Sequence, residues 1–153
     1  MEFQIAKENE LEEILELQYL AYQTEAALFG TNDIPPLKQT LEEVKAEFRE
    51  GTIIIVKDGS KIISSVRMKE KDNTVYIGKL MVHPDYRRKG IGSSLLSEVE
   101  KIYPHRRYEL FTSTRSVDNI RLYKSLGYKI FDEKDITEDI TFVYLEKFEF
   151  YRR

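Results

Sequence analysis

From Lys79 to Ser94 the chain reads Lys-Leu-Met-Val-His-Pro-Asp-Tyr-Arg-Arg-Lys-Gly-Ile-Gly-Ser-Ser. A β-type run stops at the turn around Pro84, and a basic, glycine-bearing loop then opens a helix. Such a layout binds anions. Glycines let the backbone come close to a ligand, while the free N–H groups of the first helical turn and the positive end of its dipole face it. Arg87, Arg88 and Lys89 add full charges, so a diphosphate suits the loop. Two better-known phosphate loops do not match. A Walker loop needs Lys and then Ser or Thr after its last glycine, whereas Gly92 is followed by Ser93 and Ser94. The dinucleotide fingerprint needs a third glycine where Leu95 stands.

Upstream of this loop the pattern is that of a three-stranded meander. Thr52 to Lys57, Lys61 to Lys69 and Val75 to Val82 read as strands, separated by the turn signals Asp58-Gly59 and Asp72-Asn73. Earlier still, Leu11, Ile14, Leu15, Tyr19 and Tyr22 recur at helical spacing. Leu41, Val44 and Phe48 do the same until Gly51. Between these two helices Gly30 to Pro36 reads as a loop, and Phe3 to Ala6 as a first strand. Downstream, Ile91, Leu95, Leu96, Val99 and Ile102 define a helix closed by Pro104, and Tyr108 to Thr112 a short strand. A strand, helix and strand in this order predict a parallel crossover. A further helix from Ser116, holding Val117, Ile120 and Leu126, ends at Gly127. Two β-rich stretches follow, Lys129 to Asp132 and Thr141 to Phe150. The expected class is mixed α/β, in one domain spanning 1–153, a length sufficient for a full core.

Composition narrows the function classes. With no cysteine and two well-separated histidines, His83 and His105, the chain lacks the ligands of a zinc site and a thiolate nucleophile. A net charge of −3 argues against broad nucleic-acid binding, although the basic triplet at 87–89 leaves a local patch as an alternative. Charged residues make up 33% of the chain, too many for a membrane protein, and the N-terminus carries no signal-peptide pattern. A cytoplasmic protein with no metal, no membrane and no nucleic-acid partner is expected.

The loop resembles the acetyl-CoA loop of the GNAT superfamily, Arg or Gln, two residues, Gly, one residue, Gly or Ala, here Arg87, Gly90 and Gly92. The preceding Leu80-Met81-Val82-His83-Pro84 resembles the strand and turn that lead into it. A second stretch, Asn119-Ile120-Arg121-Leu122-Tyr123-Lys124-Ser125-Leu126-Gly127-Tyr128, resembles the family's helix signature of a tyrosine, three residues, glycine and an aromatic. The resemblance implies a central mixed, mostly antiparallel sheet of about six to seven strands flanked by about four helices. It implies an acetyl-CoA-dependent N-acetyltransferase acting on a primary amine of a small molecule or peptide, as monomer or homodimer. The alternative is a catalytically silent acetyl-CoA sensor or binding module.

By the same resemblance, the main chain of Leu80, Met81 and Val82 lies along pantetheine. Arg87, Arg88, Lys89, Gly90, Ile91, Gly92 and Ser93 take the diphosphate. Tyr123 protonates the departing thiolate, as a phenol donor can. Many members carry asparagine seven residues before this tyrosine, where this chain has Ser116, a candidate helix cap. Asn119 becomes the candidate polar contact to the cofactor. Some members also place a glutamate, acting as general base, in the strand before the loop, where this chain has Tyr76.

Glu25 remains either a distant carboxylate working through water or a surface residue. Lys79, in an otherwise apolar strand, either reaches the site or snorkels. The acceptor pocket falls on Tyr19 to Leu37 and Asp132 to Tyr144, with Pro35 and Pro36 stiffening one wall. The acidic Glu25, Asp33, Asp135, Glu138 and Asp139 there point to a cationic acceptor. With no cysteine and no Gly-x-Ser-x-Gly elbow, direct transfer without an acyl-enzyme is expected.

Overall fold

The computed structural model of the chain describes residues 1–149. Seven strands form one sheet: β1 (Glu2–Ile5), β2 (Thr52–Asp58), β3 (Lys61–Lys71), β4 (Thr74–Val82), β5 (Arg107–Ser113), β6 (Lys129–Asp135) and β7 (Thr141–Phe148), in the order β1-β2-β3-β4-β5-β7-β6. The expected strand end at Phe150 lies outside the described residues. Every ladder is antiparallel except β4 with β5, which pair in parallel over Thr74–Arg107, Val75–Tyr108 and Tyr76–Glu109. That parallel pair is the crossover expected from the strand–helix–strand order.

The helices are α1 (Leu11–Ala21), α2 (Gln23–Phe29), α3 (Pro35–Lys38), α4 (Leu41–Glu50), α5 (Ile91–Ile102) and α6 (Val117–Ser125). The early apolar repeat spans a break, because the α1 ladder ends at Tyr22 and α2 restarts one residue later. Gly30, at φ 68°, closes α2 in the left-handed conformation that glycine adopts without steric cost. Inside the expected loop, Pro35 and Pro36 start the single turn of α3, since proline's fixed φ suits a first helical turn. Thr40 and Glu43 form a reciprocal capping box at the start of α4.

The middle of β2 shows why the sheet is buried on both faces. Ile53 and Ile55 point to one side, where Leu11, Ile14, Leu15 and Val44 of α1 and α4 cover them. Ile54 and Val56 point to the other, packing with Leu95, Leu96 and Val99 of α5 and Tyr123 of α6. Burying a side chain such as Leu95, which is 0% exposed, contributes about 1.5–3 kcal/mol. Val117, by contrast, is exposed at the first turn of α6, so that helix packs through Ile120, Leu122, Tyr123 and Leu126.

Two irregularities open the middle of the sheet. In β4, Gly78 pairs with Arg67 and Met81 with Ser65, so Lys79 and Leu80 together face the single residue Val66. Lys79 sits at φ 52° in this bulge. Beyond Tyr76 and Glu109 the β4–β5 ladder ends, leaving Ile77–Val82 and Leu110–Ser113 without pairing to each other. A cavity occupies that gap.

Candidate active site

The cavity measures about 1370 Å³ and is lined by both separated strand ends, the first turn of α5, α6, α2, α3 and the start of β7. All the residues named from the sequence for cofactor or catalysis line it except Lys89, whose ammonium lies 5.4 Å from the centre of the Tyr86 ring. Lys89 is held instead over the Tyr86 ring, whose face attracts a cation.

The loop itself is held in shape by left-handed residues. Gly90, the residue before α5, has φ 78°, and Arg88 has φ 64°. No side chain caps α5, so the amides of Ile91, Gly92 and Ser93 point at the cavity without a helical or side-chain partner. The Arg87 guanidinium turns away from them. It donates to Thr24 Oγ1 at 2.6 Å and to the Ala21 carbonyl at 2.9 Å, tying the loop to the α1–α2 junction. Arg88, which also lines the cavity, has no such tie among the described residues, while Arg87 joins the loop to the α1–α2 junction. Nothing in the local sequence announces this, because Thr24 lies 63 residues away.

Tyr123 is 5% exposed and lies beside Tyr128, ring centres 6.2 Å apart. Among the described residues its phenol has no hydrogen-bond partner, and neither has that of Tyr22, which lines the same cavity. Burial first, then the neighbouring Tyr22 and Glu25, hold the Tyr123 phenol well above its ordinary range. It stays protonated wherever an assay would be run. Tyr22 is raised in the same way, chiefly by burial and then by Glu25.

Ser116 does not cap α6 with its side chain. Its hydroxyl, on a residue 4% exposed, donates instead to Glu25 Oε1 at 2.5 Å. Glu25 is thereby fixed at the cavity wall, and Asn119 lines the same wall from α6. Tyr76 is 43% exposed and does not line the cavity, so that position of β4 offers no group to it. Of the acidic residues named from the sequence, Asp33 binds Lys38 at 2.6 Å and Asp135 accepts from Thr141. Only Glu25 of that set lines the cavity.

Lys79 finds a carboxylate partner, Glu47 Oε1 at 3.6 Å, and lines the cavity as well. Glu47 belongs to a network that sequence reading missed. Arg67, 5% exposed, donates to Glu47 Oε2 at 3.0 Å, to Gln39 Oε1 at 2.9 Å and to Gln18 Oε1 at 2.6 Å. Gln18 in turn donates to the Pro36 carbonyl at 2.8 Å, and Gln39 to Glu47 at 2.6 Å. Burial pushes the Glu47 carboxyl up, but Arg67 and Lys79 outweigh it and hold it below its usual value. The network fastens the wall that carries Pro35 and Pro36.

Among the described residues no group of three or more His, Cys, Asp or Glu could hold a metal ion. No described helix is long and apolar enough to cross a membrane.

The fold is shared widely. The ribosomal-protein-S18-alanine N-acetyltransferase of Escherichia coli superposes with a TM-score of 0.82 at 14% identity, over 99% of this chain and 96% of that one. The Salmonella typhimurium protein yncA, solved with its cofactor acetyl-CoA, gives 0.74 at 16% identity over 100% and 96%. In sequence, the Bacillus subtilis (strain 168) UPF0157 protein YqkA is 28% identical over 124 residues, 76% of this chain, which spans about a third of that relative's length (34%). The acetyltransferase (GNAT) family model matches residues 9–128, including the loop at 87–92 and the stretch from α6 to Tyr128, and the chain belongs to that family.

Proposed function

We propose that the protein transfers an acetyl group from acetyl-CoA directly to the nitrogen of a primary amine, as a single cytoplasmic domain spanning 1–153, either monomer or homodimer, that uses no metal. The observation that carries this reading is the convergence, in one cavity, of the uncapped first turn of α5, the unpaired end of β4 and the Tyr123 phenol.

Each part has a job that its chemistry supports. The amides of Ile91, Gly92 and Ser93, with the backbone around Gly90 and the Arg88 charge, receive the diphosphate. The main chain of Leu80, Met81 and Val82, free of the β5 ladder, offers hydrogen bonds to the pantetheine amides. Asn119 supplies a polar contact from α6. Bound acetyl-CoA brings a thioester carbonyl, the electrophile of the reaction.

The neutral amine nitrogen attacks that carbonyl carbon, the C–S bond breaks, and Tyr123 gives its proton to the leaving sulfur. The extra proton on the nitrogen returns to the Tyr123 phenolate, restoring the phenol, so the products are an acetamide and the free thiol. A second reading, a binding module without turnover, is favoured by one observation. The β4 residues that line the cavity, Ile77 to Val82, include no carboxylate.

One experiment separates the two. Calorimetric titration with acetyl-CoA, with CoA and ATP beside it, is followed by thiol release with pooled amines for wild type and Tyr123→Phe. The enzyme reading expects micromolar acetyl-CoA binding and a kcat that falls about 10²–10⁴-fold in the variant at unchanged affinity. Binding without turnover on any amine leaves only the module, and absence of binding overturns both.

A further inference from the structure

The acceptor half of the cavity carries its own chemical signature. Its wall is apolar, made by Phe29, Ile34, Pro35, Pro36, Phe111 and Phe142. Phe111 and Phe142 lie 4.9 Å apart at an interplanar angle of 33°, and Phe111 is 49% exposed. A ring so exposed beside a second one is a surface awaiting apolar contact.

Against that wall stands one available carboxylate. The carboxylates lining the cavity are Glu25, Glu43 and Asp118. Glu43 is occupied by the backbone and hydroxyl of Thr40 in the α4 cap. Asp118 lies in the first turn of α6, 3.8 Å from Arg121. Glu25 differs from both, because the Ser116 hydroxyl fixes its Oε1 at 2.5 Å and its Oε2 has no partner among the described residues.

Apart from Arg88 at the α5 loop, the cations around the cavity have partners. Lys38 pairs with Asp33, Lys79 with Glu47, and Arg87 with Thr24 and Ala21. Arg115 donates to the Leu28 carbonyl and lies 5.1 Å from the centre of the Phe29 ring. No ion pair neutralises Glu25 among the described residues. A half-buried carboxylate, oriented by a buried hydroxyl and sharing its cavity with the Tyr22 and Tyr123 phenols, suits one ammonium.

Resting on the acetyltransferase reading, we infer that the acceptor is a primary amine with a single positive charge and an apolar, ring-bearing body, its ammonium received by Glu25. A polyamine would bring two or more further cations to a cavity whose other carboxylates, Glu43 and Asp118, already have partners. An aminoglycoside would in addition press hydroxyls against phenylalanine and proline, where each unpaired polar group is costly. A flat arylalkylamine meets neither penalty. Glu25 is here a binding residue, and Ser116 positions it.

The test is steady-state thiol release with 2-phenylethylamine, spermidine and kanamycin for wild type, Glu25→Gln and Ser116→Ala, with acetyl-CoA affinity measured alongside. The expected result is a kcat/KM for 2-phenylethylamine at least tenfold above the other two. Glu25→Gln should raise KM by about 10–100-fold, the range of a charged hydrogen bond, with acetyl-CoA affinity within twofold of wild type. Ser116→Ala should move KM in the same direction by less. Preference for spermidine or kanamycin, or a Glu25→Gln KM within threefold of wild type, overturns the inference while leaving acetyl transfer standing. A wild-type protein that binds acetyl-CoA yet turns over no amine overturns the acetyltransferase reading and this inference with it.

Discussion

Replacing Arg67 with methionine keeps the aliphatic stem and removes the guanidinium from under the acceptor wall. Three hydrogen bonds go, to Gln18, Gln39 and Glu47 at 2.6, 2.9 and 3.0 Å. Breaking a buried ion pair from one side costs about 3–5 kcal/mol. The low end applies, because Glu47 is 32% exposed and keeps Lys79 at 3.6 Å. An unfolding entropy of about 2.1 cal/mol/K per residue gives about 0.3 kcal/mol/K for a chain of this size, so a loss of about 3 kcal/mol lowers Tm by about 10 °C.

The pH dependence has a definite sign. Glu47 is held below its usual value, so its pairing stabilises the fold above the unfolded carboxylate range near pH 4.5 and is lost as pH falls through the lower folded value. Thermal melts followed by circular dichroism, at pH 7 and stepwise down to pH 3, should therefore show the gap between wild type and Arg67→Met narrowing below pH 4.5. The double variant Arg67→Met/Glu47→Gln should show a coupling of at least about 1 kcal/mol. A Tm drop under 3 °C at pH 7, or a gap that does not change with acid, would refute the assignment of Arg67 as the charge that compensates Glu47.

Gly51→Ala should lower Tm by several degrees, because an added Cβ would lie 2.3 Å from the Met68 carbonyl oxygen, a backbone atom that cannot turn aside. An unchanged melt would show that β3 yields there. Tyr128→Phe should be neutral or stabilising by about 1 kcal/mol, since the hydroxyl it removes is buried without a partner among the described residues. A clear loss of stability in urea would contradict that. Burial raises the phenols of Tyr22, Tyr123 and Tyr128, so the folded chain keeps protons that the unfolded chain releases above pH 10. Stability should hold to about pH 10 and then fall by up to about 1.4 kcal/mol per pH unit for each of them. Urea midpoints constant through pH 11 would rule this out.

Local pattern carried the strand meander and the helix after Gly90, because alternation and 3.6-residue spacing are properties of neighbouring residues. The same holds for the anion-binding end of the cavity, whose letters all lie between Leu80 and Ser93. The break at Tyr22 escaped, since the apolar repeat runs straight through it. Lys79 in a left-handed bulge escaped for a different reason: no letter marks a lysine for that conformation. The acceptor side was least legible. The bond from Ser116 to Glu25 joins residues 91 apart, and Arg67 meets Gln18 across 49 positions, so only the folded sheet brings them together.

The three residue pairs joining β4 to β5 have a mechanical consequence. Among the described residues they are the only ladder between a four-stranded half, β1 to β4, and a three-stranded half, β5 to β7. Such a molecule is a wedge with a short weld at its narrow end. A slender ligand lodged in the mouth would touch both jaws, and the cross-bracing it added would set the angle between them more firmly than the weld does.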